Sequence, residues 1–157
     1  MANTTITVNP NGTTPISVEE AAQTGFNTRF RILYSDLNTN TTSGSSDTVT
    51  VTLGPTPASY YIDKCLARVV TAFTGITAMT VVVGTTSSTA AMISSTSVLT
   101  VAALPQVSTV PILTNLTATA SVGLVAVFTA AGTGGPAGLT AGEFKIYMNL
   151  KDQSKLP

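Results

Sequence analysis

Short runs in which apolar and polar residues alternate are the feature that most constrains the fold of this chain. Residues 48–53 place Val49, Val51 and Leu53 between threonines, and residues 143–150 place an apolar side chain at every second position. Residues 26–34 repeat the pattern around Phe30 and Ile32. A period of two puts successive side chains on opposite faces of a strand, so each run predicts a half-buried β-strand.

Glycine and proline interrupt these runs, and Thr and Val dominate within them. The pattern predicts about eight or nine short strands and almost no helix, and β-branched residues suit a pleated sheet. We therefore expect an all-β fold, an antiparallel β-sandwich that is jelly-roll-like. An immunoglobulin-like sandwich stays open as the alternative, because the residues do not fix the strand order.

Several segments carry a weaker pattern. Residues 66–73, 98–101, 107–113 and 117–128 are interpreted as strands, as are residues 79–83, which we expect to be buried on both faces. Polar residues 36–46 and glycine-rich residues 130–142 predict loops, and Gly54 and Pro55 predict the end of the strand at 48–53.

The domain organisation follows from the composition along the chain. Residues 1–25 are rich in Asn and Thr and predict an N-terminal arm, and residues 26–157 predict the β-sandwich domain. The arm suits either a frayed terminus or an extension that orders on a neighbouring subunit.

Charge is scarce. The 157 residues include seven basic and seven acidic side chains, and 9% of the chain is charged, against about 25% in ordinary soluble domains. Nucleic-acid affinity needs clustered Lys and Arg, so no nucleic-acid partner is predicted, and Arg29 and Arg31 are interpreted as surface charges of a strand. No apolar run approaches the ~20 residues that a bilayer requires, so no membrane partner is predicted either.

The residue types that carry most enzyme chemistry are missing or scattered. There is no histidine and one cysteine, Cys65, which we expect to be buried and inert. Asp36 and Asp47 suit turns better than a calcium site. We predict no enzyme activity, no cofactor, and no catalytic, cofactor-binding or metal-binding residues.

Six phrases form a recognisable set: FRILYSDL from residue 30, TVTVTLG from 48, AFTG from 72, MTVVVGTT from 79, VAVFT from 125 and LTAGEFKIY from 139. Together they resemble small virion structural proteins of tailed bacteriophages, of the capsid decoration (cement) or head-fibre type, including those of cyanophages. The resemblance covers about residues 26–150. It implies a capsid decoration protein that binds the major capsid protein lattice and stabilises the head.

The same resemblance implies a homo-oligomer, with a trimer favoured, that is assembled in the host cytoplasm and located on the capsid surface of the virion. Two other functions remain open. One is a phage neck, tail or fibre-attachment component. The other is a carbohydrate-binding or adhesin β-sandwich, for which the tyrosines Tyr34, Tyr60, Tyr61 and Tyr147 are the available aromatic groups and Tyr60 with Tyr61 is the best candidate.

Overall fold

Two β-sheets pack face to face in the computed structural model, so the predicted all-β sandwich is confirmed. The structure describes residues 3–7, 13–15, 25–38, 47–56, 60–105, 122–131 and 135–152. None of the helices in these ranges is long and apolar enough to cross a membrane.

Ten strands, one helical turn and one 3₁₀ turn make up the described chain. They are β1 (Asn3–Thr7), β2 (Thr13–Pro15), β3 (Thr28–Leu33), α1 (Tyr34–Leu37), β4 (Thr48–Thr56), β5 (Tyr60–Thr74), β6 (Ala78–Thr85), β7 (Ile93–Ser97), β8 (Ala102–Pro105), β9 (Val122–Ala131), the 3₁₀ turn (Pro136–Gly138) and β10 (Ala141–Asp152).

The strand order identifies the sandwich as a jelly roll. Sheet A has the order β1-β4-β9-β6-β7, and sheet B has the order β2-β3-β10-β5-β8. Without β1 and β2, each sheet has four antiparallel strands, and among these eight strands only β6 and β7 are neighbours both in sequence and in a sheet. An immunoglobulin sandwich pairs several consecutive strands within its sheets, whereas crossing between sheets at nearly every connection is the double Greek key of a jelly roll.

The predicted arm contributes one edge strand to each sheet. β1 pairs with β4 in parallel, from Asn3 opposite Thr48 to Thr7 opposite Thr52. β2 pairs with β3 in the antiparallel sense. Over its described residues the arm therefore lies against its own chain, and the boundary at residue 25 stays a prediction.

The core lies between the sheets and is centred on three aromatic rings. Phe128 of sheet A packs 5.9 Å from Phe73 and 5.6 Å from Phe144, both of sheet B, measured between ring centroids. The alternation predicted for β4 and β10 is confirmed, since these strands bury every second side chain. The buried residues are Val49, Val51 and Leu53 from β4 and Phe144, Ile146 and Met148 from β10.

The pairing of β5 explains why apolar and polar side chains do not alternate regularly over residues 60–73. Its pairing with β10 shifts register at three places, near Asp63, near Val70 and next to Phe73. Each shift resembles a β-bulge, which inserts an unpaired residue and turns the following side chains to the other face. The core therefore receives Ile62, then Cys65, Ala67 and Val69, and then Phe73.

Several local predictions are wrong at their boundaries. Residues 98–101 form a bend rather than a strand, although Val98 is buried. β4 runs on to Thr56 through a register shift at Leu53, and Pro55 is tolerated because β1 pairs with β4 only as far as Thr52. The strand at 79–83 buries one face, since Thr80 and Val82 are only half-buried.

Parts of the predicted loops form a helical turn or strands in the structure. Asp36 and Leu37 belong to α1, where Leu37 reaches the core. The ends of 130–142 belong to β9 and β10. The predicted strand at 107–113, residues 117–121 of the next one and residues 39–46 lie outside the described residues.

Gly75 follows β5 and requires glycine for two reasons. Its φ of +89° lies in the left-handed region, and an added Cβ would lie 2.0 Å from the carbonyl oxygen of Gly138. The turn after β5 therefore packs directly on the backbone of the 3₁₀ turn.

Removing the central ring should destabilise the sandwich strongly. We expect Phe128→Ala to lower the free energy of unfolding by about 3–5 kcal/mol, because both lost transfer energy and the cavity contribute. Val101→Ala is the control, since Val101 is 54% exposed, and it should change stability by less than about 0.5 kcal/mol. Urea unfolding measures both, and similar losses in the two variants would contradict this placement of the core.

Two glycine variants separate backbone strain from steric contact. Gly54 has a φ of +117° with no atom within 4 Å of an added Cβ, so Gly54→Ala should cost about 1–2 kcal/mol through backbone strain alone. Gly75→Ala adds the collision with Gly138 and should cost clearly more. Thermal unfolding of both variants tests this, and an equal decrease in Tm would argue against the close approach.

Candidate functional site

The two outer faces of the sandwich differ sharply in charge. No residue in the five described strands of sheet A is Asp, Glu, Lys or Arg. Every Lys and Arg in the described part of the chain lies instead on β3, β5 or β10 of sheet B. These residues are Arg29, Arg31, Lys64, Arg68, Lys145 and Lys151.

Sheet A presents a neutral outer face built in rows across β4, β9 and β6. One row is Thr48–Thr129–Thr80, and the next is Thr50–Val127–Val82. We call these six residues the Thr/Val face. Thr129 is exposed and the other five are half-buried, so the face offers methyl groups and hydroxyl groups and no charge.

A turn limits the Thr/Val face at one end. Gly84 is the next outward position of β6, and an added Cβ there would lie 2.2 Å from the carbonyl oxygen of Ser88. The turn at 85–91 therefore crosses over Gly84, beside Val125, which is buried. At the other end, the outer face continues from Thr80 and Thr129 to Ala78 and Ala131.

Sheet B presents a row of three cations on its outer face. Lys145 of β10 lies directly opposite Arg31 of β3 on one side and Arg68 of β5 on the other. We call these three residues the basic row. Residues opposite each other on neighbouring strands have Cβ atoms about 4.5–5.5 Å apart, and like charges in that position are destabilising.

Glu143 compensates part of the basic row. Its Oε1 accepts a hydrogen bond from Arg31 Nε at 2.7 Å and lies 3.3 Å from Lys145 Nζ. The hydrogen bond from Arg31 is the main reason that the pKa of Glu143 is held below its ordinary value of 4.5, with Lys145 adding to it. One carboxylate thus serves two cations, and within the described residues no hydrogen bond or ion pair involves the side chain of Arg68.

The opposite end of the sheet B face is internally paired. Asp63 accepts a hydrogen bond from Asn149 at 3.1 Å and forms an ion pair with Lys151 at 3.0 Å. The bond to Lys151 is the main cause that lowers the pKa of Asp63. Lys64 Nζ lies 4.9 Å from the ring centroid of Phe26, a cation–π contact.

The residues considered for chemistry have ordinary structural surroundings. Cys65 is 3% exposed, and burial raises the pKa of its thiol to about 12, so the thiolate that reacts with electrophiles is disfavoured. Asp36 accepts a hydrogen bond from the Leu33 N–H at 2.7 Å, the local role favoured for it. No group of three metal-ligating side chains occurs among the described residues.

The tyrosines do not converge on one site. Tyr34 packs against the core, and the ring of Tyr147 lies 5.9 Å from that of Phe26 on the outer face of sheet B. Tyr61 is half-buried in β5, next to Tyr60 at the start of that strand. A carbohydrate site that depends on Tyr60 and Tyr61 remains a prediction.

The shared carboxylate makes stability depend on pH. A carboxyl whose pKa is lower in the folded than in the unfolded chain stabilises the fold above the unfolded value and loses that effect as the pH falls through the folded value. Glu143→Gln should therefore lower the Tm at pH 7 and approach the unmodified protein below about pH 4. Thermal scans from pH 7 to pH 3 measure this, and a difference that does not change with pH would contradict the role of Glu143.

Comparisons with known proteins found no relative of this chain. No protein-family model matches it, and neither the curated proteins nor the solved structures contain a match.

Proposed function

We propose that the protein is a virion structural protein, a capsid decoration protein that binds the major capsid protein lattice through the Thr/Val face and stabilises the head. The observation that carries the proposal is the separation of charge, with a neutral outer face on sheet A and all described basic residues on sheet B. The resemblance of residues 26–150 to small phage virion proteins is the reason that the proposed partner is a phage capsid.

The chemistry of the Thr/Val face supports a packing role. Burying a charged group against a partner costs free energy unless the group is paired, and a neutral face avoids that cost. Val82 and Val127 are neighbours in one row and supply apolar area, and the four threonines of the face supply hydroxyl groups for polar contacts. Binding interfaces commonly combine a less charged centre with a polar rim.

The proposed mechanism is stabilisation by binding. A protein that binds the assembled shell and not its separated subunits shifts the equilibrium toward the shell by mass action. Two rows of small side chains form a modest contact, so we propose that several copies act together as a homo-oligomer, since linked weak contacts add up to tight attachment. Jelly rolls occur in capsids and also in lectins, so the outer surface and not the fold carries the proposal.

A matched pair of lysine substitutions tests the binding face. Thr129 on sheet A and Thr71 on sheet B are both exposed strand threonines. We expect Thr129→Lys to weaken binding to capsids at least tenfold, because an unpaired ammonium would be buried at the interface. Thr71→Lys, which adds the same charge next to Glu143, should bind normally.

Cosedimentation with capsids of the phage that encodes the chain measures the two affinities, after thermal unfolding has shown that both variants fold. Unchanged binding of Thr129→Lys would remove the Thr/Val face from the proposal. The number of copies per particle, measured by quantitative mass spectrometry, tests the location. A number comparable to that of the major capsid protein supports decoration, a few copies indicate the neck or tail, and absence from the particle would refute a virion role.

A further inference from the structure

We propose that the basic row on sheet B is a second docking surface, and that its partner is an acidic protein segment whose carboxylates lie across Arg31, Lys145 and Arg68. This surface lies on the opposite side of the sandwich from the Thr/Val face. The inference is therefore independent of the proposed capsid contact.

Among the described residues, the carboxylate bonded to the row balances only part of its positive charge. Arg31, Lys145 and Arg68 bring three positive charges. Glu143 is the carboxylate bonded to them among the described residues, and Asp36 adds a weaker electrostatic attraction at Arg31 only. In a chain with seven basic residues in all, this concentration on three adjacent strands is large.

The arrangement costs stability in the isolated protein. Lys145 is 24% exposed and Arg31 is 51% exposed, so both are partly accessible, while directly opposed like charges on neighbouring strands repel. Glu143 contacts Arg31 and Lys145 and forms no ion pair with Arg68. A carboxylate of the partner, placed between Lys145 and Arg68, would pair with both cations and reduce their repulsion.

The size of the excess favours carboxylates over nucleic acid. A strongly salt-dependent nucleic-acid complex draws on about six to ten phosphate contacts, and the three cations of this row are too few for that. The other basic residues nearby are already engaged, Lys151 by Asp63 and Lys64 by the ring of Phe26. A short acidic stretch with two or three Asp or Glu side chains matches the row in charge and in extent.

The test uses the full-length protein and labelled poly-L-glutamate as the probe, at low salt. We expect measurable binding that weakens as salt is added, and a rise in Tm when the probe is present, because the ligand binds only the folded chain. Arg68→Gln should weaken binding by about threefold to fivefold, and adding Lys145→Gln should weaken it further. Arg68→Gln should also raise the Tm of the free protein slightly at low salt, because it removes a repulsion.

Lys151→Gln is the matched control, since it removes the same formal charge from the same sheet at a position already paired with Asp63. It should change the affinity for the probe less than twofold. Absence of binding at low salt, or an equal loss in the Arg68 and Lys151 variants, would overturn the proposal. Tighter binding to a single-stranded DNA oligonucleotide of matched charge would overturn it in favour of a nucleic-acid surface. None of these outcomes depends on capsid binding.

Discussion

The contact between Phe128 and Phe144 is the interaction on which the sandwich depends. Their rings meet edge to face at an interplanar angle of 83°, and Phe73 completes the cluster from the sheet B side. Phe144 belongs to β10, which pairs with β3 on one side and β5 on the other. Phe128 belongs to β9, which pairs with β4 and β6 in the same way. One aromatic contact therefore joins the central strands of the two sheets.

Local alternation predicted the strands whose pairing is regular, and it failed where pairing is not. β4 and β10 bury the side chains that a period of two predicts. β5 changes face at its register shifts, which depend on its partner β10 and leave no local signal. The bend at 98–101 has the composition of a strand, and only the path between β7 and β8 excludes one.

The two candidate surfaces could not be predicted from patterns along the sequence. Arg31, Arg68 and Lys145 are far apart in sequence and become neighbours only through the order β3-β10-β5. Low total charge was visible from composition, but its division between the sheets was not, because the strands of sheets A and B are interleaved along the chain. The result is a sandwich with a neutral side suited to close packing and a basic side suited to an anionic partner. Under the two proposals, each side of the domain would meet a different partner.

A cryo-EM reconstruction of the assembled particle tests the central claim most directly, at a resolution that separates the two sheets. The claim is that the neutral face of sheet A is the face through which the protein assembles. The reconstruction should show Thr50, Val82 and Val127 covered by the neighbouring protein, with the basic row turned away from that contact. A map in which these three residues face solvent, while sheet B lies on the shell, would contradict it.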